Sequence, residues 1–288
     1  MTKNKLIAEF ELRQEPDKVL MCAPDFFQVK EIQNPHMKHQ QGKVDRVLAA
    51  KQWSDLYKLL DQLTAGVSLV EPVEDCEDMV FTANQVFPFV SPSGDKKFIP
   101  SIMKFSSRQR EVQYIQSFFE NLNYQAVPLK SADCFESQGD LLWHPQRRLL
   151  WGGYGHRTSK NVYEEISHIV EAPVQQLKLI DDRFYHLDTC FCPLSQDSVL
   201  ICPEAFDDNG KELIKSCFND VIEVPLKEAL NGFVCNGLAI DEKYFIVQKG
   251  SSFTKEQVAK LGFKIYELEA SEFIKSGGSI FCMKMMFY

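Results

Sequence analysis

The stretch Gly139-Asp-Leu-Leu-Trp-His144, followed by Arg148-Leu-Leu-Trp-Gly152, decides the fold. Two short apolar runs are joined by a turn containing Pro145, the pattern of a β-hairpin. A helix is predicted next over 161–171, with Val162, Ile166, Ile169 and Val170 on one face, and then a strand over 174–180. The stretch therefore reads as one ββαβ unit.

The same order recurs on both sides of it. Residues 186–193 and 198–202 form a second hairpin, followed by a helix over 210–218 and a strand over 221–224. Residues 233–240 and 244–248 begin a third, with a helix over 254–261 and a strand over 264–268. Upstream, 80–90 and 98–102 precede a helix over 108–121 and a strand over 124–127. The two ends supply a fifth unit: strand 279–287 pairs with strand 19–23, and helix 44–63 and strand 67–70 complete it. Five units of about 50 residues, closed by pairing of the terminal strands, leave no exposed sheet edge and predict an α/β propeller with five blades. A dinucleotide-binding fold fares worse, since no GxGxxG follows a strand and hairpins outnumber simple βαβ crossings. Residues 1–288 are read as a single domain.

Composition narrows the function. The 288 residues are 44% hydrophobic and 25% charged, with net charge -8, which fits a globular chain and argues against a nucleic-acid partner. No run approaches the roughly 18 apolar residues of a membrane-spanning helix, so no membrane partner is expected. The N-terminus lacks the long apolar stretch of a secretory signal. Nine cysteines without framework spacing read as reduced thiols, and the protein is expected in the cytoplasm. Cys190-Phe-Cys192 lacks a second ligand pair, and neither a metal nor a cofactor is expected.

The first strand of each predicted unit carries a polar or reactive residue: Asn84, Asp140, His186, Cys235 and Cys282, at intervals of 56, 46, 49 and 47. In a closed ring these positions would converge on the axis, with Glu136 and Asp188 nearby. The alternative is that polar residues cap strand ends. Cys282 reads either as a small buried hydrophobe or, after the paired Gly277-Gly278, as a nucleophile. Strand alternation would put His186 and Asp188 on one face, as a base beside a carboxylate, or as a core histidine satisfied by its neighbour. Glu136 and Asp140 flank a glycine and also fit a solvated turn. The segment Lys104-Phe-Ser-Ser-Arg108-Gln-Arg110 reads as surface.

Taken together, several motifs resemble the guanidino-group-modifying enzymes, the amidinotransferase or pentein superfamily. They are Leu20-Met-Cys-Ala-Pro-Asp-Phe-Phe27, Asn34-Pro-His-Met37, Asp78-Met-Val-Phe-Thr-Ala-Asn84 and Phe135-Glu-Ser-Gln-Gly-Asp140. Trp151-Gly-Gly-Tyr-Gly-His-Arg157, Phe184-Tyr-His-Leu-Asp188 and Gly277-Gly-Ser-Ile-Phe-Cys282 complete the set. The resemblance spans nearly the whole chain and is nearest to the arginine dihydrolase branch, which takes arginine to ornithine, ammonia and carbon dioxide. It implies the pentein fold, a propeller of five α/β blades, in agreement with the repeat count. It also implies Cys282 as nucleophile, His186 as general acid/base and Glu136 as a carboxylate on the guanidinium. Asp188 would hold the guanidinium too, and Arg157 the substrate carboxylate. Asn34, Asp78, Asn84, Asp140 and Lys104 complete the expected substrate-binding set, with Asn84 standing where deiminases have an aspartate.

Four positions depart from the pattern. Lys104 stands at an arginine position, Gln138 replaces a small residue, His36 replaces an aromatic one, and Lys284 follows the nucleophile where threonine is common. The expected partner is a small guanidino compound, arginine or a derivative, and the resemblance leaves homo-oligomerisation open. A deiminase or dimethylarginine hydrolase that stops at citrulline is the alternative within the enzyme class. An amidinotransferase or a non-catalytic binding protein on the same fold are the others.

Overall fold

The computed structural model describes residues 5–130 and 132–288. Five sheets of three strands carry the architecture. In each, the middle strand pairs antiparallel with one neighbour and parallel with the other. Leu150–Tyr154, for example, lies antiparallel to Leu141–Trp143 and parallel to Val174–Lys178, reached through the helix Val162–Val170. The last sheet joins the two ends of the chain. Lys18–Cys22 runs between Met285–Phe287 and Val67–Val70, with Leu20 opposite Met285. The predicted closure is therefore present.

Amphipathic helices cover the outer faces. Asp45 caps Arg46–Leu63 by accepting from the amides of Val47 and Leu48 at 3.0 Å, which satisfies two of the donors a helix start leaves free. Leu56 and Leu60 then pack on Val19 and Met21. Ile115 and Phe119, one turn apart on Ser106–Asn121, do the same against Phe98 and Phe287.

The inner strands differ from expectation at one point that governs function. Each predicted first strand begins with a short turn, and only its second half pairs. Thr82–Asn84, Ser137–Gly139, Leu187–Thr189 and Val234–Asn236 are 3-10 turns, and residues 280–283 form the fifth turn. The expected strand alternation at His186 and Asp188 is thus corrected, since His186 stands in front of a turn and Asp188 lies within it.

Hydrogen bonds tie these turns into a ring. Ser137 Oγ donates to the carbonyl of Val86, and Leu187 N to Asp140 Oδ1 at 3.0 Å. Asn236 Nδ2 donates to the carbonyl of Asp188 at 3.1 Å, Phe281 N to that of Asn236 at 2.9 Å, and Ala83 N to that of Cys282 at 3.2 Å. Below the ring, the inner strands of all five sheets line an axial cavity of about 390 Å³, through Phe87, Leu141, Phe191, Leu238 and Met286 among others. Among the described residues no helix is long and apolar enough to cross a membrane.

Candidate active site

The ring of turns brings Cys282, His186, Asp188, Glu136 and Asn84 together, all at most 2% exposed. Cys282 Sγ lies 3.2 Å from Asp188 Oδ2 and 3.2 Å from Asn236 Nδ2, which donates to it. Burial pushes the thiol well above its ordinary pKa, and the neighbouring Asp188 pushes the same way. Burial also raises Asp188, to about 7, against the opposing hydrogen bond of Cys282 and the charge of Lys284. The thiol proton is therefore held between sulfur and carboxylate.

His186 Nε2 lies 2.6 Å from Glu136 Oε2. A carboxylate there fixes the proton on Nε2 and leaves Nδ1 as the basic nitrogen. Both oxygens of Glu136 are engaged. Oε2 also accepts from Arg157 Nη1 at 2.8 Å, and Oε1 from the amide of Lys104 at 3.0 Å. Burial alone would raise this carboxyl, but Arg157, the bonded His186 and Arg108 together hold it well below the usual carboxylate range. In this arrangement Glu136 orients His186.

Two unpartnered nitrogens meet at Gly139. His186 Nδ1 and Asn84 Nδ2 are both buried and without hydrogen-bond partners. A Cβ on Gly139 would stand 2.9 Å from the first and 2.6 Å from the second, so only glycine fits. Asn84 is oriented through its oxygen, which accepts from Arg108 Nη1 at 3.2 Å. Its amide nitrogen is left free to donate.

Arg108 is the residue the sequence reading missed. The helix starts at Ser106, two residues before the predicted 108, and this puts Arg108 in the first turn, buried. There it pairs with Glu111 at 3.0 Å and donates to the carbonyls of Asp78 and Phe81 at 3.3 and 3.4 Å. The i, i+3 spacing to Glu111 on one helix face could have marked it. Burial drives Glu111 up to about 7 despite the opposing charge and hydrogen bonds of Arg108.

A narrow pocket leads to Cys282 between Asn34, Asp78, Asn84, Arg108, Arg157 and Tyr185, with Phe81 and Met37 as apolar wall. Arg157 is sandwiched between Phe105 and Tyr185, 4.7 and 4.8 Å from the ring centres. Asp78 accepts from Ser276 Oγ at 2.9 Å. Asn34 faces the pocket, yet both ends of its amide are engaged: Nδ2 with the carbonyl of Ser276 and Oδ1 with the amide of His36.

Other expected residues stand elsewhere. Lys104 points its ammonium at the carbonyl of His156, 2.9 Å away, and does not line the pocket. Asp140 lies behind the turn, accepting from Leu187 N and from Thr158 Oγ1 at 2.7 Å. It is raised to about 6 by burial, with His186 opposing. Cys235 and Gln138 face the axial cavity instead of the pocket. Among the described residues no group of three or more His, Cys, Asp or Glu side chains is placed to hold a metal ion.

The sequence and the fold match those of known proteins. Residues 23–288 match the sequence model of the family described as N,N dimethylarginine dimethylhydrolase, eukaryotic. The bifunctional arginine dihydrolase/ornithine cyclodeaminase AgrE of Nostoc sp. is 35% identical over 92% of this chain. The chain spans only 37% of that relative's length. The N(G),N(G)-dimethylarginine dimethylaminohydrolase of Mycobacterium tuberculosis is 32% identical over 91% of this chain and 83% of its own. A solved structure of the N-terminal domain of ArgZ, an arginine dihydrolase of cyanobacteria bound to substrate, superposes with a TM-score of 0.88 at 33% identity. It covers 94% of this chain and 97% of that domain. With nearly its whole length matched, the chain belongs to the N,N dimethylarginine dimethylhydrolase family, within the pentein superfamily of guanidino-modifying enzymes.

Proposed function

We propose that this chain is a cysteine-dependent hydrolase of the guanidino group of L-arginine, of the dihydrolase type, and that residues 1–288 act as one catalytic domain. The observation that carries this reading is the orientation of Asn84, held by Arg108 through Oδ1 with a free, buried Nδ2 beside His186 Nδ1. A guanidinium is a poor electrophile because its charge is delocalised. Asp188 and Asp78 fix its plane, while Arg157 faces the substrate carboxylate. Cys282 gives its proton to His186 Nδ1 and the sulfur bonds to the guanidino carbon. The imidazolium returns the proton to the departing ammonia and leaves a thiouronium. Water, activated by His186, releases citrulline and the thiol.

The second turn of this chemistry needs the neutral urea to react. An aspartate at position 84 would place an anion beside the urea oxygen, whereas the Asn84 amide donates a hydrogen bond to it. Attack by Cys282 then expels a second ammonia, and water converts the thiocarbamate to a carbamate that loses carbon dioxide to give ornithine. The reading is supported by the likeness to proteins named arginine dihydrolase.

A second reading is hydrolysis of N-methylated arginine, favoured by the family description and by the Mycobacterium tuberculosis relative. One product assay separates them. Purified protein with L-arginine is expected to yield ornithine and two ammonia per arginine, with none from Cys282→Ser. Asn84→Asp is expected to consume arginine and accumulate citrulline. Inertness to arginine with release of methylamines from methylated arginine would favour the second reading.

A further inference from the structure

Lys284 is a buried cation that the chemistry above does not use. It is 1% exposed, two residues beyond Cys282, and lines the axial cavity while the substrate pocket lies on the other side of the ring. None of the ion pairs among the described residues includes it. Its Nζ sits 3.2 Å from the centre of the Phe281 ring and 3.5 Å from Gln138 Oε1. The titratable groups facing it are Asp188, Cys282 and Cys192.

The Cys282–Asp188 contact gives this cation a task. Attack requires a thiolate beside a carboxylate, two negative charges placed where 3.2 Å now separates sulfur from oxygen. Inside a protein that repulsion is large. In the first hydrolysis the guanidinium itself supplies a positive charge between them. In the second, the substrate is a neutral urea and supplies none.

We propose that Lys284 is a positioning residue that places a positive charge on the cavity side of the Cys282–Asp188 pair as the thiolate forms, and that it matters most in the hydrolysis of the neutral urea. This rests on the dihydrolase reading above. In that step the thiol gives its proton to His186 Nδ1, a carbon–sulfur bond forms, and the imidazolium returns the proton to the ammonia as the carbon–nitrogen bond breaks. Water then adds to the thiocarbamate, the carbon–sulfur bond breaks and the thiol is restored. Lys284 makes and breaks no bond to the substrate, and a thiolate formed on Cys282 favours its charged form. Burial brings its pKa down to about 7, and the facing Asp188, Cys282 and Cys192 are what oppose that fall. Substrate does not displace it, because it approaches from the cavity side.

The test compares Lys284→Met, Lys284→Gln and Lys284→Arg by two readouts. The first is the citrulline-to-ornithine ratio during arginine turnover. The second uses no arginine: the pH dependence of alkylation of Cys282 by neutral iodoacetamide, read by peptide mass. We expect either neutral variant to slow ornithine formation about tenfold more than arginine consumption, by loss of one nearby charge. Alkylation at pH 8 should slow by about the same factor, with its midpoint moved to higher pH, while Lys284→Arg stays near the wild type. A folded neutral variant with unchanged alkylation and an unchanged product ratio overturns the proposal. If the wild-type protein leaves arginine untouched, the functional reading fails, and the alkylation profile still decides whether Lys284 controls the thiol.

Discussion

Replacing Arg108 by methionine leaves Glu111 buried at 1% exposure with its charge unpaired. Breaking a buried pair from one side costs about 3–5 kcal/mol. At roughly 2–4 °C per kcal/mol for a chain of this size class, the melting temperature of Arg108→Met should fall by about 10 °C. The defect has a pH dependence of known sign. Glu111 already titrates at about 7 with Arg108 beside it, and losing that cation raises its folded pKa further. A group raised in the folded state binds more protons there than in the unfolded chain, so stability falls as pH rises. The variant should therefore be worse at pH 8 than at pH 6. Adding Glu111→Gln removes the stranded charge and keeps an acceptor for Gln85 Nε2, now 2.6 Å from the carboxylate. The double variant should recover about 2 kcal/mol in a urea or thermal melt. It should not recover turnover. With no donor on its Oδ1, Asn84 loses its orientation, and misplacement of this order costs about a hundredfold. A double variant as unstable as the single one would refute the stability argument. Wild-type turnover in the double variant would refute the orientation argument.

Gly139→Ala should lower turnover about a hundredfold while the protein stays folded, because the new Cβ displaces His186 Nδ1 and Asn84 Nδ2; activity with an unshifted melt checks it. Lys104→Ala should change KM for arginine by less than about threefold, since its ammonium holds only the carbonyl of His156 and the Glu136 contact is made by its backbone amide. Asp140→Asn should flatten the pH profile of stability between 4 and 6. Asp140 is raised to about 6 when folded, so the wild type binds the extra proton in the folded state and loses stability as pH rises through that window. Melts across that range decide the matter.

The fold was readable because it repeats. Five hairpin–helix–strand units each carry their own periodicity, and the C-terminal strand had no partner other than the N-terminal one. What the sequence hid is the turn in front of each inner strand. A three-residue 3-10 turn such as Leu187-Asp-Thr189 has no period to detect, and its apolar flanks extend a strand pattern into it. The consequence fell on the site. Strand alternation joined His186 to Asp188, whereas each in fact pairs across the ring, His186 with Glu136 and Asp188 with Cys282. The converging set Asn84, His186 and Cys282 was found by spacing, but Cys235 obeys the same spacing and faces the axial cavity. Arg108 was misjudged because charged residues near a helix start read as solvated, and only the packing of the Ser106–Asn121 helix buries it. Lys104 is exposed, as the segment's reading as surface had it, and its place in the substrate-binding set came from the resemblance alone.

The central claim is that one thiol carries arginine through two hydrolyses, and the fate of the guanidino carbon tests it most directly. Arginine carrying carbon-13 at that position, mixed with the protein and sampled over time, should deliver its label transiently to the Cys282 peptide and finally to carbon dioxide, with ornithine left unlabelled. Label retained in accumulated citrulline, or arginine recovered intact, would contradict the account.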